Sequence, residues 1–275
     1  LAVSPDDKLL IGSLCGVDIL DDKTGDIEHW NCNSAVSPLS SNFVNSLYSK
    51  DGQIWVGTET GGITKLVPRL LQLEFYQNDP RNPGSIARNA VNAMFPAPDG
   101  TLWVGVVEGG LNALSPHSKN FVHYTTANSG LPHNSVSTLA ADGHGNLWIG
   151  TWGGGVAVMP LGEPGKMQRL LVGDRYQGLL SFVGAFAYDA INDGMWIGTN
   201  DGLFFYDIKK RQLEEPFPHC LDIRGGIGSL VTRDGKLLMG CIQGMGDADL
   251  RSRRRARRNF AVTYHSYKLD NPKSG

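Results

Sequence analysis

The ten residues Asp142-Gly143-His144-Gly145-Asn146-Leu147-Trp148-Ile149-Gly150-Thr151 join a turn signal to a buried strand. Asp-Gly before an apolar run favours a tight hairpin, because type I′ turns need positive φ and glycine takes it without steric cost. Leu147–Thr151 is almost wholly apolar, as expected of a strand covered on both faces. Upstream, Ser135–Ala141 reads as the strand entering that turn. Downstream, the glycines 153–155 turn the chain into a third strand, Val156–Met159, and Arg169–Val172 forms a fourth. The unit is a meander of four short antiparallel strands.

The same unit recurs along the chain. Asp51-Gly52-Gln53-Ile54-Trp55-Val56-Gly57-Thr58, Asp99-Gly100-Thr101-Leu102-Trp103-Val104-Gly105 and Asp193-Gly194-Met195-Trp196-Ile197-Gly198-Thr199 repeat its centre. Weaker copies stand at Asp7–Gly12 and Asp234–Gly240. The marker glycines 12, 57, 105, 150, 198 and 240 are separated by 45, 48, 45, 48 and 42 residues. A period near 46 with four strands per copy is the blade of a β-propeller. The expected fold is therefore all-β, with about six four-stranded antiparallel blades at residues 1–42, 43–89, 90–134, 135–182, 183–225 and 226–275. Trp55, Trp103, Trp148 and Trp196, replaced by Leu10 and Leu238 in the outer copies, serve every blade alike and read as packing residues between blades.

Composition agrees. Of 275 residues 35 are glycine, while 41% are hydrophobic, so the glycine belongs to turns between buried strands rather than to a disordered chain. A net charge of −2 argues against a nucleic-acid partner. No apolar run reaches the roughly 18 residues of a membrane helix, so this segment is expected to make no membrane contact. Cys15, Cys32, Cys220 and Cys241 lack metal-ligand spacing and are expected to be free thiols. No cofactor and no metal site is expected: Asp6-Asp7 and Asp21-Asp22 lack the alternating spacing of a calcium loop and read as turn residues.

The wording of the repeat is more specific than its period. Asp-x-x-Gly-x-Leu-Trp-Ile-Gly-Thr-x-x-Gly-Gly-Leu, preceded by Leu-Pro-x-Asn-x-Val-x-x-Leu, resembles the two-component regulator propeller repeat. The likeness is best from Gly130 through Gly155 and clear over 42–62 and 89–110. Phe75–Ser85, and Tyr264–Tyr267 with Asp270–Ser274, are similar to the family's outer-strand linker. Cys15 in place of a turn glycine and an insertion after Gly244-Met245-Gly246 depart from the pattern. The resemblance implies a periplasmic, non-catalytic sensor segment of a bacterial hybrid histidine kinase that detects glycan fragments. Such proteins usually carry two seven-bladed propellers, a β-sandwich, a membrane helix and a cytoplasmic kinase. On that reading the chain is an excerpt of a seven-bladed or tandem seven-bladed array, in an open or incompletely closed ring, with a closed six-bladed ring as the alternative. Its partners are an oligosaccharide, the rest of its own ectodomain and, in a homodimer, a second copy.

Strand direction places the candidate site. In a four-stranded meander, the loop leading into the first strand and the turn between the second and third lie on one face, and the Asp-Gly turns lie on the other. Residues that differ between blades there are Arg88, Glu108, His133, Trp152, Phe182, Asn200, Arg224 and Gln243. Arginines suit carboxylate or sulfate, and Trp152 suits a sugar face. Asn42, Asn89 and Asn134 recur at one place and are expected to fix the turn through side-chain hydrogen bonds. Two alternatives stand beside the sensor: a scaffold for protein partners, and a lyase resembling the streptogramin lyases, with His133 and Glu108 on adjacent blades. No nucleophile motif supports the lyase. The run Arg251–Arg258, with six arginines, falls where the period demands a loop and reads as a solvated insertion.

Overall fold

The computed structural model describes residues 1–35, 38–67, 72–215, 227–233, 235–241, 244–251 and 263–265. Its strands form six four-stranded antiparallel sheets, each taken from consecutive strands. Blade 1 contains β1–β4 (Ala2–Val3, Leu9–Ser13, Gly16–Leu20, Ile27–Trp30), and blade 2 contains β5–β8 (Val44–Lys50, Gln53–Thr58, Ile63–Val67, Gln72–Tyr76). Blade 3 contains β9–β12 (Val91–Pro96, Leu102–Val106, Gly110–Leu114, Phe121–Tyr124), and blade 4 contains β13–β16 (Val136–Ala141, Asn146–Thr151, Val156–Pro160, Gln168–Arg169). Blade 5 contains β17–β20 (Val183–Asp189, Gly194–Thr199, Gly202–Asp207, Gln212–Glu214), and blade 6 contains β21–β24 (Ile227–Arg233, Lys236–Cys241, Gly244–Asp249, Thr263–His265).

The period-two alternation of each second strand builds the core. Trp103 packs on Leu147 and Ile149 of the next blade. Trp148 packs on Met195 and Ile197, and Trp196 on Leu237 and Met239. The residues on either side of each tryptophan face the previous blade. The repeated tryptophans are thus interblade packing, as their recurrence predicts. Leu10 fills the same place in blade 1 and is fully buried, while Leu238 in blade 6 is only half-buried.

The marker glycine has a different cause from the turn glycines. A Cβ on Gly57 would lie 2.7 Å from a methyl of Val91. On Gly105 it would lie 2.6 Å from Val136, and on Gly150 2.8 Å from Val183. Each valine opens the inner strand of the next blade, so the missing side chain lets that strand approach. Polar bonds reinforce the contact: Asn45 Nδ2 donates to Val91 O at 3.2 Å, Asn92 Nδ2 to Val136 O at 3.2 Å, and Ser137 Oγ to Val183 O at 2.6 Å. At the turns, Asp51 and Gly52 take φ of 51° and 77°, the two positive values a type I′ hairpin requires.

Inner strands pack in the order β1, β5, β9, β13, β17, β21. Among the described residues no comparable contact joins β21 to β1. One expected strand is corrected. The fourth strand of blade 4 is Gln168–Arg169, not Arg169–Val172. It pairs only with Ala157 and Val158, and after Leu170 N bonds Val156 O the chain leaves the sheet towards a single-turn helix, α1 (Asp174–Gln177). Of the cysteines, Cys15 and Cys32 are free and exposed.

Candidate functional site: a collar of loops on one face

The lead-in loops and the second-to-third-strand turns do share a face, because they are hydrogen-bonded to each other. Within each of blades 2 to 5 the turn bonds the lead-in loop of its own blade. Glu59 N donates to Phe43 O and Val107 N to Ala90 O, both at 2.9 Å. Trp152 N donates to Ser135 O at 2.9 Å and Asn200 N to Phe182 O at 3.3 Å. A second set reaches the following blade: Gly62 N to Asn89 O, Gly110 N to Asn134 O and Gly153 N to Ser181 O, at 3.1, 2.7 and 2.7 Å. The result is a collar of loops tied together through its backbone, on which Arg88, Glu108, Trp152, Phe182 and Asn200 are exposed.

The recurring asparagines hold this collar. Asn42 Oδ1 accepts from Cys32 N at 2.7 Å, Asn89 Oδ1 from Asn78 N at 2.7 Å, and Asn134 Oδ1 from Thr126 N at 2.9 Å. Each donor lies two residues beyond an outer strand. The side chain therefore ties the end of one blade to the beginning of the next, which is the turn-fixing role expected of it.

Six of the eight sequence-selected residues lie on the collar, on three consecutive blades. Arg224 and Gln243 lie outside the described residues. Arg88 is exposed, its stem against Gly109, whose added Cβ would stand 3.1 Å from Arg88 Cγ. Glu108 is exposed at a left-handed φ of 54°, a conformation uncommon for a residue with a side chain. Its Oε1 accepts a hydrogen bond from Ser135 Oγ at 2.6 Å. Ser135 N in turn donates to His133 Nδ1 at 3.0 Å, so the neutral His133 ring carries its proton on Nε2. The His133 ring lies against Gly153, which takes φ of 117°. The backbones of Trp152 and Phe182 form an isolated antiparallel bridge, and their side chains are 42% and 48% exposed. Asn200 is exposed in the same turn of blade 5.

Two members of the collar were hidden in the sequence. Ser135 reads as the first residue of β13, whereas it precedes the strand and links Glu108 to His133. Phe43, at the same place in blade 2, is 45% exposed. Position is the available signal: Phe43, Ala90, Ser135 and Phe182 each precede the valine that opens an inner strand.

The opposite face differs in kind. Asp142 accepts hydrogen bonds from His144 N, Asn146 N, Asn146 Nδ2 and Trp148 Nε1 at 2.8–2.9 Å. Burial alone would raise its pKa, yet these donors together hold it below the usual carboxylate range. Asp193 accepts from His144 Nε2 at 2.6 Å and from Tyr188 Oη at 2.9 Å, joining blades 4 and 5. These bonds hold its carboxyl low, while burial and the Asp193 carboxylate push the Tyr188 hydroxyl up to about 12. Clefts of about 490, 500 and 540 Å³ lie between blades 1 and 2, 2 and 3, and 4 and 5. Their lining includes first-hairpin residues such as Gly52, Gly100 and Asn146, placing them towards this opposite face.

The two-component regulator propeller family matches residues 38–60 and 130–153, which run from the lead-in loop through the second strand of blades 2 and 4. In two stretches the chain is thus similar to the two-component regulator propeller repeat. No curated protein sequence matches it. Among solved structures, this chain is similar to an extracellular domain from B. thetaiotaomicron assigned to a hybrid two-component system, BT3049. The TM-score is 0.78 at 21% identity, over 98% of this chain and 36% of that one. An extracellular domain assigned to a one-component system of the same organism, BT4673, gives a TM-score of 0.78 at 17% identity, over 96% and 36%. PorZ, a surface component of the type-IX secretion system of Porphyromonas gingivalis, gives 0.61 at 15% identity, over 97% and 32%. The propeller thus spans about a third of the length of these structures. At such identities the likeness carries the fold.

Proposed function

We propose that this regulator propeller is a non-catalytic, periplasmic ligand-sensing segment of a two-component signalling protein, and that its collar binds a glycan fragment. The observation that carries the reading is the collar. Exposed aromatic faces at Trp152 and Phe182 stand beside a carboxylate, an imidazole N–H and a guanidinium on neighbouring blades. Aromatic faces stack on the apolar side of a pyranose, and Glu108 with His133 offers its hydroxyls one acceptor and one donor. The repeat family and the extracellular structures that share the fold support the sensor context. No helix among the described residues is long and apolar enough to cross a membrane.

The geometry at His133 favours binding over lyase chemistry. A general base at Nε2 needs a free lone pair there, whereas the bond from Ser135 N leaves Nε2 as the protonated nitrogen. Calorimetry of the full ectodomain against an oligosaccharide panel tests the proposal. One saturable sugar, lost in Trp152→Ala at unchanged thermal stability, is the expected outcome. Tight binding of a protein with no sugar response would move the reading to a scaffold, and turnover that disappears in His133→Ala would move it to an enzyme.

A further inference from the structure

The cleft between blades 4 and 5, of about 540 Å³, lies towards the face opposite the collar and has a composition of its own. Trp148, Val158, Leu170 and Tyr206 line it; Trp148 and Tyr206 are buried and meet edge to face at 5.5 Å. Three cations, Lys166, Arg169 and Arg211, also line it. Lys166 is taken by Glu163. Arg169 and Arg211 are exposed, and neither has a carboxylate partner among the described residues. They come from different blades, Arg169 from the end of β16 and Arg211 from the hairpin tip between β19 and β20, where φ of 53° sets its direction. Among the described residues the one acidic residue of the lining, Asp142, already accepts four N–H donors, which occupy its lone pairs.

We propose that this cleft is a second binding site, for an organic carboxylate with an apolar body. The apolar body would cover Leu170, Val158 and the edges of the two aromatic rings. The carboxylate would reach between Arg169 and Arg211, whose planar guanidinium groups suit bidentate contact. A sugar fits less well, because the one carboxylate that could accept from its hydroxyls is occupied. A neutral apolar molecule would leave both arginines without a counter-charge. The clefts between blades 1 and 2 and between 2 and 3 lack this balance: the first is lined by Asp6, Lys8 and Glu28, and in the second Lys65 is paired with Glu74 at 3.3 Å.

The test is calorimetric titration of the full-length protein with 4-phenylbutyrate and with its uncharged amide. The expected result is one saturable site for the carboxylate, an amide at least roughly tenfold weaker, and weakening on added salt, as charge-assisted contacts predict. Arg169→Ala and Arg211→Ala should each weaken binding by roughly tenfold, and the double variant should abolish it. Both side chains are exposed, so the thermal midpoint should not move. Trp152→Ala, on the collar, should bind phenylbutyrate as the wild type does, which separates this site from the proposed glycan site. Equal affinity for acid and amide, an unchanged double variant, or no saturation at millimolar ligand would each overturn the assignment.

Discussion

At the scale of single residues, the aspartate at the end of an inner strand does more than shape a turn. Asp142 Oδ2 accepts from Trp148 Nε1 at 2.9 Å and Asp189 Oδ2 from Trp196 Nε1 at 3.2 Å, so a carboxylate anchors the interblade tryptophan in blades 4 and 5. Blade 3 has Ala97 at that place, and Trp103 Nε1 is buried without a partner. Asp142→Ala orphans the buried Trp148 Nε1–H and three half-buried N–H donors and should cost about 2 kcal/mol in denaturant unfolding. Ala97→Asp should gain about 1 kcal/mol through the new bond to Trp103, and a loss of stability there would sink the equivalence. The sign of the pH dependence follows from the lowered pKa. The stabilisation from Asp142 is complete above the carboxyl's unfolded value, near 3.9, and is lost as pH falls through the lower folded value. The stability gap between wild type and Asp142→Asn should therefore close in acid, as read from unfolding midpoints at pH 7 and pH 2.5.

At the scale of the element, the second strand decides how closely blades can stack. Its marker glycine meets the first valine of the next inner strand at distances no side chain tolerates. Gly150→Val forces a branched side chain into Thr138 and Val183 and should destabilise by about 3 kcal/mol or more. Gly162, with nothing within 4 Å of an added Cβ, is the control: Gly162→Ala should fall within about 0.5 kcal/mol of wild type. Comparable thermal stability in the two variants would refute the packing role of the marker glycine. The collar shows the same dependence on neighbours, since the turns of blades 2 to 4 are each completed by bonds to their own blade and to the next.

At the scale of the whole molecule, burial is graded from the second strands to the rim. The strands β10 and β18 are buried at every residue, whereas β4 is exposed at three of its four positions. Each blade packs on its chain neighbours, so stability is shared between adjacent units rather than pooled in one core. Amide hydrogen exchange should accordingly be slowest in β10 and β18 and fastest in β4, with protection set by local packing. Uniform protection across all strands of a blade would contradict that picture. The two faces have separate chemistries because strand direction alternates: the collar gathers residues that vary from blade to blade, and the opposite face gathers hairpins, ion pairs and interblade clefts.

The blade, its period, its turns and the face of the variable residues were legible in the order of amino acids, because a two-residue side-chain period and positive-φ turn positions are local properties. Trp148 and Asn134 could be assigned their structural roles from recurrence alone. Ser135 could not: its bond to Glu108 crosses from one blade to the next, and nothing adjacent in the chain announces it. The same holds for Ala97 opposite Trp103, and for Arg169 and Arg211, which lie 42 positions apart in the chain yet line one cleft. Local geometry makes a blade. Only the stacking of blades brings distant side chains into one site.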